Sequence, residues 1–260
     1  MRIKGAGFIA LAILALGADP TASQETAAPP KKLIFATGGW KTVKDGLPLM
    51  RFFVSLTGKP NPKVCLLPTA SGDSAESIVT YYDLMNQLEC RPRHLRLFQP
   101  SRVDDFEAYL MDMDAIFVGG GNTLNMLAIW KEQGIDRVLE KAWRKGIVLG
   151  GGSAGAICWF HQGCSDSRPG KLTTVDGLGL LPGSTCPHFN DEKRRAAYRE
   201  LVLSGGLEDG VACDEGVGLL YEDGRRVRVV SSLPNARAYA VKRLDGRLEM
   251  LALDGEYLGK

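Results

Sequence analysis

Short apolar runs alternate with helical stretches through the first half of this chain, and that alternation limits its fold more than any other feature. Leu33 to Thr37, Val64 to Pro68, His94 to Phe98, Ala115 to Val118 and Ile147 to Leu149 read as strands without a polar face. Such strands need cover on both sides, which a parallel sheet between two layers of helices provides. The helices are expected at Leu47 to Leu56, Ala75 to Leu88 and Asn122 to Lys145, the last of them divisible at Gly134. Beyond Val211 the pattern changes. Glu222-Asp223-Gly224 and Leu244-Asp245-Gly246 join runs rich in Val, Leu and Tyr, a hairpin signal, so this part should extend or flank the sheet. The prediction is an α/β fold: a mostly parallel central sheet, helices on both faces, and antiparallel hairpins at the C-terminus.

The two ends of the composition argument concern location and partners. Arg2 and Lys4 precede an apolar run from Ala6 to Leu16, followed by small residues such as Ala18 and Thr21-Ala22-Ser23. This is the build of a secretory signal peptide over residues 1–23, and it implies export to a periplasm or the exterior. A start codon misplaced ahead of a cytoplasmic protein is the alternative. The run falls short of the roughly 20 apolar residues of a membrane span, and no cysteine before Cys65 could carry a lipid, so no membrane association is expected after signal removal. A polar linker over residues 24–30 would lead into one α/β domain, residues 31–260. Lys plus Arg of 32 against Asp plus Glu of 30 gives a net charge of +2, too little to steer a polyanion, so nucleic acid is not an expected partner. Cys65, Cys90, Cys158, Cys164, Cys186 and Cys213 form no C-x-x-C pair and no metal-ligand spacing with histidine. No metal and no cofactor are expected. Most of these thiols sit in apolar runs and read as buried and inert, although export would permit disulfides.

Chemistry enters at Gly150-Gly151-Gly152-Ser153-Ala154-Gly155-Ala156, which holds G-x-S-x-G between a strand-like run and a helical segment from Ala156 to Phe160. A sharp strand-to-helix turn of this kind strains the serine backbone and needs very small neighbours. Ser153 is the candidate nucleophile. The N–H of Ala154, at the helix start, is the first candidate oxyanion donor. A second glycine loop, Gly119-Gly120-Gly121-Asn122, follows another strand at the end where α/β proteins build their sites, and Gly120 or Gly121 is the second candidate donor.

The chain has three histidines. His94 begins a predicted strand far upstream. His161, eight positions past Ser153, would sit about 12 Å further along the same helix. His188 follows Pro187 at a loop after an apolar run and is the candidate base. An acid must hold its imidazole in one tautomer. Glu215, at the turn before Val217 to Tyr221, and Asp166, in the loop after the nucleophile helix, both fit.

Four stretches taken together carry a resemblance: Leu66-Leu67-Pro68-Thr69-Ala70, Phe117-Val118-Gly119-Gly120-Gly121-Asn122-Thr123, Gly152-Ser153-Ala154-Gly155-Ala156, and Leu180-Leu181-Pro182 through Pro187-His188-Phe189. In order and spacing the chain resembles the peptidase E family of serine peptidases, the aspartyl dipeptidases, which are related to the cyanophycinases and share a scaffold like that of class I glutamine amidotransferases. The resemblance implies a triad of Ser153, His188 and Glu215, with Asp166 near an aspartate proposed for the same role. It implies a short peptide substrate, dipeptides with an N-terminal Asp among them, and assigns Arg194 to a substrate carboxylate. The segment between His188 and Arg194 is shorter than in the aspartyl dipeptidases. Two other functions use the same residues or none: an esterase or acyltransferase with this triad, and a catalytically silent amidotransferase-like binding module.

Overall fold

The computed structural model describes Met1, residues 30–99 and residues 103–259. The segments expected to be signal peptide and linker, Met1 and Pro30 apart, lie outside the described residues. Five strands come first: β1 (Leu33–Thr37), β2 (Lys63–Leu67), β3 (Arg91–His94), β4 (Ala115–Val118) and β5 (Val148–Gly152), all parallel in the spatial order β1-β5-β4-β2-β3. Four more start a second sheet: β6 (Phe160–Ser165), β7 (Thr173–Asp176), β8 (Leu181–Cys186) and β9 (Gly210–Cys213). The hairpin β10 (Val217–Glu222) and β11 (Arg225–Ser231) returns to the first sheet beside β1, the hairpin β12 (Ala238–Leu244) and β13 (Arg247–Leu253) joins the second beside β9, and β14 (Glu256–Tyr257) completes the edge next to β11.

The parallel strands are apolar on both faces because each face meets a different layer of helices. Phe35, Val64, Leu66, Phe117 and Val148 pack with Leu49, Met50 and Phe53 of α1 (Val43–Ser55) and Tyr81, Leu84 and Met85 of α2 (Ala75–Met85). Their alternate neighbours Ile34, Cys65, Leu67, Ile116 and Leu149 face α3 (Phe106–Met111), α4 (Thr123–Gln133) and α5 (Ile135–Arg144). Each fully buried Leu, Ile or Phe contributes about 1.5–3 kcal/mol relative to an exposed one. The one-turn α6 (Ala154–Ile157) lies between the sheets, and α7 (Glu192–Ser204) covers the second sheet through Tyr198 and Val202.

Some details differ from the sequence reading. The third strand ends at His94 instead of starting there. Leu95 and Leu97 are buried without being strand, since the Leu97 and Phe98 N–H groups donate to the Asp73 carboxylate at 2.5 and 2.7 Å. As the sequence allowed, the helix from Asn122 divides at Gly134, whose φ of 73° ends α4 and opens α5. The nucleophile helix is a single turn, so His161 belongs to β6 and Asp166 follows a strand. A second sheet also forms where one had been expected. β1 is already flanked by β5 and β10, so the strands after α6 have no free central edge to join and pair with one another.

Candidate active site

The carboxyl ends of β1, β2, β4 and β5 converge on a cavity of about 500 Å³ that Ser153 and His188 both line. Ser153 stands at the turn from β5 into α6 with φ 57° and ψ −115°, a conformation that non-glycine residues rarely adopt. Its N–H donates to the Thr37 carbonyl at 3.3 Å. The turn can be this tight because Gly155 presses against β4, where a Cβ on it would meet the Val118 carbonyl oxygen at 2.1 Å. Ser153 Oγ has no hydrogen-bond partner among the described residues.

The N–H of Ala154 opens α6 and has no acceptor within that helix. Across from it, the β4 loop is pinned at both ends, Gly119 N–H donating to the Leu67 carbonyl at 3.1 Å and Asn122 N–H to the Ala70 carbonyl at 2.7 Å. Gly120, between those anchors, lines the cavity; a Cβ there would lie 3.3 Å from Ser153 Cβ and 3.7 Å from Oγ. Gly121 packs on the turn at Ala70 instead, and its φ of 138° excludes most side chains.

His188 follows β8 with φ 54°, its N–H held by the Gly38 carbonyl at 3.2 Å and its ring lying against Gly39. Nδ1 lies 3.1 Å from Glu215 Oε1. Glu215 is fixed in turn by Asn190, which donates from Nδ2 to Oε2 at 3.1 Å and accepts from the Glu215 N–H at 2.9 Å, and by Lys41 at 3.3 Å from Oε2. Burial alone would raise the Glu215 carboxyl, but the hydrogen bonds from Asn190, His188 and Lys41 hold it below the ordinary glutamate value. Burial lowers the His188 imidazole below its ordinary value; the Glu215 hydrogen bond opposes this, the charge of Arg194 adds to it, and the charges of Glu215 and Asp166 oppose it. A neutral imidazole with Nδ1–H directed at a carboxylate leaves Nε2 free to accept a proton.

Of the two acids read from sequence, the structure brings Glu215 to His188 and gives Asp166 to Arg194, at 2.5 Å. Asp166 and Arg194 lie together in a separate hollow with Arg168, Lys171 and Lys193. Sequence reasoning missed Asn190, Lys41 and the Gly38-Gly39-Trp40 loop after β1. The last of these did carry a signal, a glycine pair at a strand end like the one after β4. All six cysteines are free thiols.

The chain matches Peptidase family S51 over residues 33–229. It is 43% identical over 223 residues to Uncharacterized peptidase YgaJ of Bacillus subtilis (strain 168), covering 85% of this chain and 96% of that protein. To Peptidase E of Streptomyces coelicolor it is 34% identical over 130 residues, 46% of this chain and 54% of that one. Among solved structures, a peptidase from an acI-B1 actinobacterium shares the fold with a TM-score of 0.65 at 18% identity, over 86% of this chain and 97% of that one. With most of its length matched from β1 into β11, this chain belongs to peptidase family S51.

Proposed function

We propose that the chain is a serine peptidase that cleaves short peptides through an acyl-enzyme on Ser153. The observation that carries this reading is the placement of a strained, unengaged serine and a histidine on one cavity, with the far nitrogen of that histidine held by a half-buried carboxylate. Membership of a peptidase family supports peptide-bond chemistry.

As Ser153 Oγ bonds to the substrate carbonyl carbon, its proton passes to His188 Nε2, and the carbonyl π electrons move to oxygen. Ala154 and Gly120 N–H groups receive that oxyanion. His188 then gives its proton to the amide nitrogen as the C–N bond breaks, and water, activated by the same imidazole, hydrolyses the ester. Glu215 stays ionised and keeps the Nδ1–H tautomer. Catalytic hydrogen bonds commonly tighten only when substrate is bound, so a Ser153 and a His188 that share a cavity without a direct hydrogen bond are compatible with this sequence. A cavity of about 500 Å³ suits one or two residues better than a folded protein segment.

A fluorophosphonate probe and a panel of dipeptides test the reading. Labelling at Ser153 and dipeptide hydrolysis, both lost in Ser153→Ala, are the expected results. Full hydrolysis by that variant would refute it, and ester cleavage with no peptide cleavage would redirect it to an esterase.

A further inference from the structure

Resting on that reading, we infer that the residue donating the acyl group is one with a cationic side chain on a long apolar stem, recognised through Glu76. The cavity beside Ser153 has an apolar floor of Trp40, Met50, Leu66 and Phe117. Its wall is one face of α2, presenting Glu76, Ser77, Thr80, Tyr81 and Leu84 at helical spacing. Among the described lining residues Glu76 carries the one full charge, no Lys or Arg lines the cavity, and the exposed Glu76 side chain makes no hydrogen bond or ion pair. An unpaired carboxylate lining the same cavity as Trp40 and Phe117 matches an ammonium or guanidinium whose methylenes lie on those rings.

An acidic side chain meets the opposite conditions there. It would bring a second negative charge to Glu76 and find no cation on the wall. The arginine suited to a carboxylate, Arg194, is already paired with Asp166 and belongs to the other hollow. A free α-ammonium could satisfy Glu76 in place of a side chain, so the experiment separates the two.

Hydrolysis of p-nitroanilides of Lys, norleucine and Asp is measured, each with a free and an N-acetylated amino group. Lysine should exceed norleucine in kcat/KM about fivefold, the upper range for an exposed ion pair, with Asp lowest, whether or not the terminus is acetylated. Glu76→Gln should bring the Lys-to-norleucine ratio to about one, and Glu76→Arg should place Asp above Lys. As a check that needs no variant, 1 M salt should shrink the wild-type ratio. Asp preferred over Lys, or a Lys-to-norleucine ratio that survives both Glu76→Gln and salt, overturns the inference. So does a preference that follows the free terminus and ignores the side chain. Norleucine turnover that depends on Ser153 but shows no lysine preference sinks this inference alone. No Ser153-dependent turnover of any member sinks the peptidase reading with it.

Discussion

Two histidine–glutamate pairs in this chain have nearly the same geometry and opposite surroundings. His188 Nδ1 lies 3.1 Å from Glu215 Oε1, and His161 Nδ1 lies 2.9 Å from Glu208 Oε1. The first two side chains are 23% and 16% exposed, the second two 57% and 49%. Around His188 the glutamate is fixed by Asn190 and Lys41, the ring is backed by Gly39, and the free edge faces a cavity shared with a serine. His161 stands on β6 in water, with no such enclosure. An exposed pair of this kind contributes little, because solvent screens it and both side chains lose freedom to form it. The lesson is that an ion-pair distance carries no chemistry by itself; enclosure and the neighbouring nucleophile supply it.

The sharpest way to break the comparison is to remove each histidine. His188→Ala should lower kcat on a cleaved dipeptide by about 10⁴-fold or more, and Ser153→Ala by a similar amount, with the double variant no worse, since such groups act as a unit. His161→Ala should leave kcat within about twofold, as surface substitutions do. Steady-state kinetics on the purified variants, with circular dichroism to confirm folding, decide it. Equal losses at the two histidines would end the distinction.

Next come the glutamates. Glu215→Gln should cost about 10²–10⁴ in kcat, because the neutral amide no longer fixes the Nδ1–H tautomer, while Glu208→Gln should have no effect. Asn190→Ala should cost less than Glu215→Gln, since it loosens the carboxylate without discharging it. A larger loss at Asn190 than at Glu215 would mean that positioning outweighs charge.

Part of this was legible from residues alone. Glycine runs at the ends of β4 and β5 advertise backbone that approaches something closely, so Ser153 could be named with Gly120 or Gly121 beside it, and with three histidines elimination reached His188. The choice between Glu215 and Asp166 stayed open, because which of two turns meets an imidazole depends on how separate strands are placed, and no local pattern records that. The second sheet was unreadable for a related reason: Leu181–Cys186 and Thr173–Asp176 are short, partly polar strands whose partners depend on which edges the first sheet leaves free. Glu76 carries no signal in the sequence, since the helix dipole already accounts for an acidic residue in a first helical turn.

The pH profile sharpens the comparison further. The base must be neutral to accept the Ser153 proton, and burial together with Arg194 lowers the His188 value. The acidic limb of kcat/KM should therefore have its midpoint below about 6.5, the ordinary histidine value. Arg194→Met removes a positive charge that disfavours the imidazolium, so the limb should move to higher pH. A limb that moves down, or stays fixed, would show that Arg194 does not act on His188 through charge.

The smaller of the two shifts in the acidic limb belongs to Asp166, and its sign is opposite. Its negative charge favours the imidazolium, so Asp166→Asn should move the acidic limb to lower pH. The carboxylate is 62% exposed and spends its nearest contact on Arg194, so most of its field is answered by that guanidinium or by water, and the displacement should be smaller than that for Arg194→Met. Salt distinguishes a field effect from a contact. At 1 M ionic strength the screening length falls to about 3 Å, so the limbs of wild type and Asp166→Asn should converge. The loss in Glu215→Gln should persist at that salt, because a direct hydrogen bond at 3.1 Å in a half-buried site is screened far less than a field through solvent. If the Asp166→Asn loss in kcat instead matches that of Glu215→Gln and survives 1 M salt, Asp166 touches the imidazole during turnover, and the acid has been assigned to the wrong turn.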